Sequence, residues 1–175
     1  MTSFAGIQAL DERILLSVHG APALLVPMFH VATVIGGGWG LLALVPFAVR
    51  AATRAVTLWL FAAITATSAL VSLIKAIVGR ARPCDALGWC NPIDIASPGG
   101  HSFPSGHAAG SFAFAMFVSL WSPRWAPLAF AWAAIVAASR CVLGVHYPSD
   151  VLAGALLGSA VGLVFAQMAK DRLRA

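Results

Sequence analysis

The chain has 175 residues, of which 60% are hydrophobic and 10% are charged, and its mean hydropathy is +0.88. Soluble domains contain roughly 25% charged residues, so this composition excludes an ordinary soluble protein and indicates a membrane protein. A net charge of +5 is also typical of proteins that bind nucleic acid, but here the basic residues are scattered over short loops and tails. We therefore expect a membrane, and no nucleic acid, as the partner.

Stretches without charged residues predict six transmembrane helices in a single all-α, integral-membrane domain of residues 1–175. One span needs about 20 apolar residues, and the first charge-free stretch, 14–49, is long enough for two short spans that part at the sequence GGGWG. The predicted spans cover residues 21–35, 38–50, 55–79, 105–121, 125–143 and 149–170, and a long outer loop covers 81–103.

The segment before the first predicted span has a different pattern, with charged side chains set among apolar ones. Asp11, Glu12 and Arg13 lie between Leu10 and Ile14, which is typical of a helix that lies in the membrane interface. Residues 4–18 are therefore predicted as a short N-terminal interfacial helix.

The distribution of basic residues predicts the orientation in the cell membrane. Six spans place both termini on one side, and with the termini in the cytoplasm seven of the eleven Lys and Arg residues are cytoplasmic, as the positive-inside rule favours. The other four, Lys75, Arg80, Arg82 and Arg140, then lie towards the periplasmic or extracellular face. This minority of basic residues needs an explanation other than topology.

The first polar group on that face is the sequence KAIVGRARP, at the end of the third predicted span. Lys75 and Arg82 are seven residues apart, which at 3.6 residues per turn returns to nearly the same face of a helix. Both cations can therefore point at one ligand, although either alone would also suit a side chain that reaches from a helix end to the interface.

The second group is the sequence PSGH at the start of the fourth predicted span. Ser105 is a residue type that caps a helix, and a helix N-terminus offers unpaired N–H groups to an anion. Gly106 allows a ligand to approach the backbone closely. With the nearby cations and His107, this helix end is predicted to bind a phosphate.

The third group is the sequence SRCVLGVHYPSD, around the turn between the fifth and sixth predicted spans. Asp150 follows His146 by four residues, close enough to accept a hydrogen bond from one nitrogen of the imidazole. That bond would set the tautomer and raise the basicity of the other nitrogen. His146 is then a candidate nucleophile, with Arg140 nearby, whereas Asp150 in isolation would suit a helix cap.

Together the three groups suit phosphoryl transfer. Cations and backbone N–H groups stabilise the equatorial oxygens of the transferred group, one histidine attacks phosphorus, and the other protonates the leaving oxygen. No cluster of carboxylates suited to magnesium or zinc is evident in the sequence. We therefore expect a metal-independent reaction that requires no cofactor.

The cysteines give a weaker prediction. Cys84 and Cys90 share the long outer loop, and a disulfide between them is expected if that side of the membrane is oxidising. A pair of free thiols is the alternative. Cys141 lies elsewhere, near the end of the fifth predicted span.

In identity, spacing and order these motifs resemble the signature of the type 2 phosphatidic acid phosphatase superfamily. That signature is a Lys, six residues and Arg-Pro; then Pro-Ser-Gly-His; then Ser-Arg, five residues, His, three residues and Asp. The chain matches it at every motif position, from residue 75 to residue 150. The resemblance implies a membrane-integral lipid phosphatase.

The resemblance also implies a role for each motif residue. The residues expected to bind the phosphate are Lys75, Arg82, Ser105, Gly106 and Arg140. His146 would form a phosphohistidine intermediate and Asp150 would orient it, while His107 would act as the general acid for the leaving group. His101 lies in the same outer loop outside the motifs and is a further candidate for substrate contact.

The expected substrate is a lipid whose phosphate enters a site at the membrane surface. Among small bacterial members of the family, undecaprenyl-diphosphate phosphatases fit a compact chain with an outward site best. The alternatives are phosphatidylglycerophosphate, phosphatidic acid, diacylglycerol diphosphate and the phosphate groups of lipid A. A phospholipid-binding transporter or scaffold, a phosphotransferase, and a vanadium haloperoxidase are rival functions. The two histidines and Asp150 argue against simple binding, and the apolar spans argue against a haloperoxidase.

Overall fold

The structure is a computed structural model that describes residues 2–19, 24, 26–88 and 100–174. All the regular elements in these ranges are helices. The α-helices are α1 (Thr2–Val18), α2 (Val26–Gly36), α3 (Val45–Val49), α4 (Ala51–Val78), α5 (Pro83–Leu87), α6 (Gly106–Trp121), α7 (Ala126–Val142) and α8 (Pro148–Arg174). Short 3₁₀ helices cover Gly38–Leu44 and Pro123–Trp125. The predicted all-α fold class is confirmed.

Three segments of the described chain are long and apolar enough to cross a membrane: Ala51–Leu87, Pro123–Val142 and Pro148–Leu173. Large apolar side chains on these segments face outward, and Ile77 and Leu156 are 74% and 73% exposed. Exposed apolar surface of this extent is costly in water and favourable in lipid. These helices therefore suit a bundle whose outer surface contacts lipid tails.

The structure does not support two separate spans between residues 21 and 50. Val26–Gly36 and Gly40–Val49 form one helical unit with a bend of 56°, whereas two successive antiparallel spans would need the chain to reverse direction. The backbone on the two sides of the bend is closely packed. A Cβ on Gly40 would lie only 2.0 Å from the carbonyl oxygen of Ile35. The glycines predicted to separate two spans therefore bend one unit, and the six-span prediction is not confirmed.

The bundle has two ends, which we call the site end and the far end. At the site end lie residues 79–105 of the described chain and the turn 143–147; at the far end lie Arg50 and Ser122, where α4 begins and α6 ends. Near the far end, Phe117 of α6 packs in an apolar cluster with Leu60 of α4 and Ala166 of α8. Helices α4, α6, α7 and α8 each run between the two ends.

Helix α1 lies at the site end of the bundle. Asp11 accepts a hydrogen bond from the backbone N–H of Ser149, at the start of α8, over 2.9 Å. The ring of His19 lies 3.2 Å from the carbonyl oxygen of Val142, at the end of α7. Because α8 ends at the far end, the N-terminal and C-terminal helices finish at opposite ends of the bundle.

Three glycines, four residues apart in α8, bring that helix into backbone contact with α6. A Cβ on Gly158 would lie 1.9 Å from the carbonyl oxygen of Ala109, and one on Gly162 would lie 2.4 Å from that of Ala113. At the site end of the same row, a Cβ on Gly154 would lie 2.4 Å from the carbonyl oxygen of Ser105. We name this contact the glycine seam; small residues four apart are typical of helices whose backbones pack closely in a membrane.

Candidate active site

The sequence around Lys75 reaches the site because α4 ends early. Gly79 adopts a left-handed conformation with φ of 64° and donates its N–H to the carbonyl of Lys75 over 3.0 Å, a common helix stop. Arg82 therefore lies in extended backbone before α5, and it does not share a helical face with Lys75 as the seven-residue spacing suggests. The turn at Gly79, rather than helical periodicity, brings the two cations to the same region.

The Lys75 and Arg82 side chains are held by backbone carbonyl oxygens. The Lys75 ammonium donates to the carbonyls of His101 and Ser102. Arg82 is 4% exposed, and its Nε and Nη1 atoms donate to Gly100 and Val145, each over 3.0 Å. Neutral carbonyl partners orient these cations and leave their charge available to an anion.

Arg140, on the last turn of α7, is fully buried. Its Nη1 donates to the Thr33 hydroxyl over 2.7 Å, and Thr33 also lies 2.8 Å from the Ser139 hydroxyl. The carbonyl oxygen of Arg140 accepts the N–H groups of Val145 and His146 over 3.1 and 3.2 Å. The residue therefore ties α2 to the turn that carries His146.

Ser105 occupies the N-cap position of α6, but its hydroxyl does not cap the helix. The residue is fully buried, and its Oγ has no hydrogen-bond partner among the described residues. Its backbone N–H donates to the carbonyl of Asp150 over 2.9 Å. A buried hydroxyl without a partner is costly, so this Oγ is suited to an oxygen of a ligand at the helix N-terminus, next to Gly106.

His107 lies in the first turn of α6 with its ring against α2. The ring is hydrogen-bonded to the backbone carbonyl of Thr33, and its electrostatic neighbours include Arg140, Arg82 and Lys75. A Cβ on Gly37 would lie 3.0 Å from Nε2 of His107. The glycine at the end of α2 therefore allows the close approach that orients the ring.

The two nitrogens of His146 face different partners. Nε2 lies 3.2 Å from Nη1 of Arg82, a guanidinium that can only donate, so Nε2 is the acceptor and the ring proton belongs on Nδ1. Nδ1 lies 3.5 Å from Oδ2 of Asp150. This arrangement leaves the lone pair of Nε2 on the side of the cations and the proton on the side of the carboxylate.

The surroundings of His146 favour its neutral form. The ring is 2% exposed, and burial, together with the smaller effects of Arg140 and Arg82, lowers its pKa to about 3, while the facing Asp150 carboxylate opposes the shift. A neutral imidazole at physiological pH is what a nucleophile requires.

Asp150 combines the two roles that the sequence left open. Its Oδ2 accepts the backbone N–H of Tyr147 over 2.9 Å, so it stabilises the start of α8 as a carboxylate in a first helical turn does. The same oxygen faces His146, and Oδ1 accepts a hydrogen bond of 2.6 Å from Arg80. The capping bond holds the carboxylate in the position where it can orient the imidazole.

A cavity of about 450 Å³ opens beside these residues. Lys75, Gly106 and His107 line its polar end. The rest of its wall is largely apolar and comes from the bent unit and from α4, α6 and α7, with Leu41, Leu44, Ile64, Val71, Phe114 and Trp132 among its residues. A cavity with one cationic end and a long apolar wall suits an amphipathic anion.

Other predicted residues are placed less centrally. The His101 side chain is exposed, and only its backbone carbonyl contacts the site, through Lys75. Cys84 is buried and disulfide-bonded, and Cys141 is free. Cys90, the predicted partner of Cys84, lies outside the described residues.

Sequence reasoning missed three residues that contact the site. Thr33 bonds to Arg140 and His107, while Arg80 and Asp11 form a salt bridge of 2.7 Å behind Asp150. Arg80 had been counted only as an unexplained cation and Asp11 only as part of an interfacial helix. The signal available for Asp11 was a carboxylate among apolar residues in the N-terminal helix, and nothing in its spacing indicates its distant partner.

Residues 56–174 match the family model described as PAP2 superfamily. The chain belongs to the PAP2 superfamily. Among solved structures, it resembles the crystal structure of LpxE from Aquifex aeolicus with a TM-score of 0.75 and 27% sequence identity, over 90% of this chain and 95% of that one. The predicted family is confirmed, and the helical bundle is a PAP2 fold.

Several curated PAP2 relatives are named as lipid phosphatases. A lipid A 4'-phosphatase of Bacteroides thetaiotaomicron is 39% identical over 103 residues, 54% of this chain and 44% of that protein. A decaprenylphosphoryl-5-phosphoribose phosphatase of Mycobacterium tuberculosis is 36% identical over 140 residues, 79% of this chain and 75% of that protein. An undecaprenyl-diphosphatase of Sulfolobus acidocaldarius is 33% identical over 119 residues, 66% of this chain and 56% of that protein. The chain thus spans about half the length of two of these relatives and three quarters of the third.

Proposed function

We propose that this PAP2 protein is a single-domain membrane phosphatase that hydrolyses a lipid phosphate or diphosphate without a metal, through a phosphohistidine on His146. The observation that carries the proposal is the placement of the His146 ring between Arg82 at Nε2 and Asp150 at Nδ1. A neutral, oriented imidazole beside anion-binding groups is the arrangement that nucleophilic attack on phosphorus needs.

In the first step, the lone pair of His146 Nε2 attacks phosphorus, and the bond between phosphorus and the leaving oxygen breaks. His107 donates its proton to that oxygen, and Asp150 stabilises the positive charge that develops on the His146 ring. In the second step, water attacks the phosphohistidine, His107 takes a proton from the water, and phosphate leaves. Both histidines return to their starting state.

The remaining motif residues would hold the phosphate. Lys75, Arg82 and Arg140 offset the charge on its equatorial oxygens, and the unpartnered Ser105 hydroxyl donates to one of them. The Gly106 N–H at the start of α6 adds a backbone donor. The charges around the Nε2 side of His146 are cationic, which suits an anion and disfavours a metal ion.

The apolar cavity supports a lipid as the substrate. Its polar end at Lys75 and His107 would receive the phosphate while the hydrocarbon chain lies along the apolar wall. The relatives that act on a decaprenyl lipid and on undecaprenyl diphosphate favour a polyprenyl chain, and undecaprenyl diphosphate is the proposed substrate. Phosphatidylglycerophosphate and phosphatidic acid are the alternatives.

We propose five membrane crossings in place of six, with the bent unit, α4, α6, α7 and α8 each crossing once. The basic residues at the far end are Arg50, Arg54, Arg124, Lys170, Arg172 and Arg174. Among the basic residues at the site end of the described chain, Arg13 alone has no contact or proposed role in the site. Because more of the remaining basic residues lie at the far end, the positive-inside rule favours a cytoplasmic far end. The site and α1 then face the periplasm or the extracellular side.

Phosphate release by the purified protein in detergent with excess chelator tests the function. Undecaprenyl diphosphate, phosphatidylglycerophosphate and phosphatidic acid are compared, with His146→Ala as the control. Release that persists under chelation and is lost in the variant supports the proposal, and the order of kcat/KM values identifies the preferred lipid. A folded wild-type protein that releases phosphate from none of them would instead be a phospholipid-binding transporter, scaffold or phosphotransferase.

A further inference from the structure

Arg80 is a cation at the site end that is fully engaged by protein groups. Its Nη1 donates to the Asp150 carboxylate over 2.6 Å and to the Ser149 hydroxyl over 2.8 Å. Its Nη2 donates to Asp11 over 2.7 Å and to Gln8 over 2.6 Å. With four partners on its two terminal nitrogens, Arg80 is not available to a phosphate in the way that Lys75 and Arg82 are.

The Arg80 guanidinium is also fixed in orientation. Its Cζ atom lies 4.0 Å from the centre of the Tyr147 ring, a distance at which a cation is attracted to an aromatic face. Tyr147 is 1% exposed and lies between His146 and the start of α8. The planar guanidinium is therefore held both by its edge, through hydrogen bonds, and by its face.

Asp11 is the second unusual charge, because this carboxylate on α1 is only 4% exposed. Oδ1 accepts the Ser149 backbone N–H over 2.9 Å, and Oδ2 accepts hydrogen bonds from the Ser149 hydroxyl and Arg80. A buried carboxylate is costly unless it is paired and hydrogen-bonded, and here both conditions hold. Asp11 thus connects α1 to the first turn of α8, one residue before Asp150.

We propose that Asp11 and Arg80 are positioning residues for the nucleophile. Asp11 holds Arg80, and Arg80 holds the Asp150 carboxylate in the orientation that faces the Nδ1–H group of His146. The inference rests on the proposed phosphohistidine function. Neither residue touches the reacting atoms. Both act on turnover through Asp150.

The charges of Asp11, Arg80 and Asp150 suit that role. Asp11, Arg80 and Asp150 alternate in sign along two salt bridges of 2.7 and 2.6 Å and sum to one negative charge. This remaining charge faces the His146 ring, which becomes positive when Nε2 bonds to phosphorus. Without Asp11, the charges of Arg80 and Asp150 would cancel, and no net negative charge would offset Arg82 and Arg140 beside the ring.

A role in positioning differs from a role in anchoring α1, and enzyme kinetics separate the two. Asp11→Asn keeps the size of the side chain but removes the charge that holds Arg80. We expect kcat to fall at least about tenfold, because a misoriented partner of a catalytic histidine impairs the chemical step. KM and the inhibition constant of inorganic phosphate, which report the phosphate-binding groups, should stay within about twofold.

The double variant with Asp150→Asn tests whether Asp11 acts through Asp150. In that background the second change, Asp11→Asn, should alter kcat by less than about twofold, since coupled residues are non-additive. Asp171→Asn is the matched control, because Asp171 is an exposed carboxylate near the far end of α8, and it should keep wild-type kinetics. Melting temperatures are measured for all variants in the same detergent.

Five outcomes are decisive. A loss in kcat that disappears in the Asp150→Asn background supports the inference, whereas an unchanged kcat, or an equal loss in both backgrounds, overturns it. If Asp11→Asn does not fold, Arg80→Lys replaces it; this variant keeps the charge but loses the two-nitrogen geometry, and an unchanged kcat overturns the inference. A wild-type protein without phosphatase activity would overturn the proposed function, and the inference with it.

Discussion

The glycine seam and the polar cluster around Asp150 adjoin at Ser105, and they are held together in opposite ways. In the seam, α6 and α8 approach until a Cβ on Gly158 would overlap the carbonyl of Ala109, so the contact depends on the absence of side chains. Around Asp150, the carboxylate is held by the backbone N–H of Tyr147 and by the side chain of Arg80. The seam therefore sets where α6 lies, and the polar cluster sets which atoms face the substrate.

This difference predicts that substitutions in the two regions separate folding from activity. A residue of the seam has no chemical role but cannot be enlarged. A residue that points into the proposed phosphate site contributes little to packing. Some of these residues lower the free energy of unfolding, because their buried polar atoms have no hydrogen-bond partner without a ligand.

The largest expected effect is on activity, from His146→Ala. Loss of the nucleophile should reduce kcat by at least about a thousandfold, while the melting temperature changes little, since His146 lies in a turn held by backbone bonds to Arg140. Phosphate release and thermal unfolding in detergent measure the two quantities. Unfolding of the variant would show that His146 belongs with the packing residues.

The next effect is on folding, from Gly158→Ala. The added Cβ would meet backbone atoms 1.9 to 2.9 Å away, which cannot move as a side chain can, so we expect a loss of at least about 3 kcal/mol or no folded protein. Gly110→Ala on α6 is the matched control, because its Cβ would meet nothing within 4 Å. Size-exclusion profiles and melting temperatures compare the two, and equal stability would mean that the seam is looser than described.

Ser105→Ala should change stability and activity in opposite directions. Removal of the buried, unpartnered hydroxyl should raise the free energy of unfolding by up to about 1 kcal/mol, and kcat/KM should fall about tenfold as one phosphate donor is lost. A variant that loses stability and keeps its activity would assign Ser105 to the seam.

The smallest effect is in the pH profile. Because burial lowers the pKa of His146 to about 3, the imidazole of the free enzyme stays neutral as the pH falls through its ordinary value of 6.5. The acid side of kcat/KM, corrected for the second ionisation of the substrate phosphate near about 6, should therefore show no decline centred at 6.5. A remaining decline there would mean that water reaches His146 in solution.

The local motifs could predict that these side chains lie near one another because each motif places its residues within a few positions of a helix end. The Ser105, His107, His146 and Asp150 environments all follow from where α6 and α8 begin. The spacing of Lys75 and Arg82 predicted that the two cations lie on one helical face. They lie in the same region for another reason, because Gly79 ends the helix between them. Periodicity alone could not reveal that stop.

Long-range placement was beyond the sequence. The glycines after α2 were compatible with a break between two spans or with a bend in one, and only the packing against α7 and α6 distinguishes them. Thr33 and Asp11 each have their site partner more than sixty residues away in the chain, so no local pattern connects them to it. The contact of the N-terminal helix with the start of α8 likewise has no local signal in the sequence.

The bent unit around Gly40 has one further consequence. Its first part carries Thr33, which contacts Arg140 and His107, and its second part forms the apolar wall that includes Leu41 and Leu44. The proposed hydrocarbon and phosphate positions would thus both lie against one continuous piece of backbone. Under the proposed function, lipid selectivity and turnover rate would therefore be coupled, because a backbone shift that reshapes the apolar wall would also move Thr33, the hydrogen-bond partner of the proposed general acid His107.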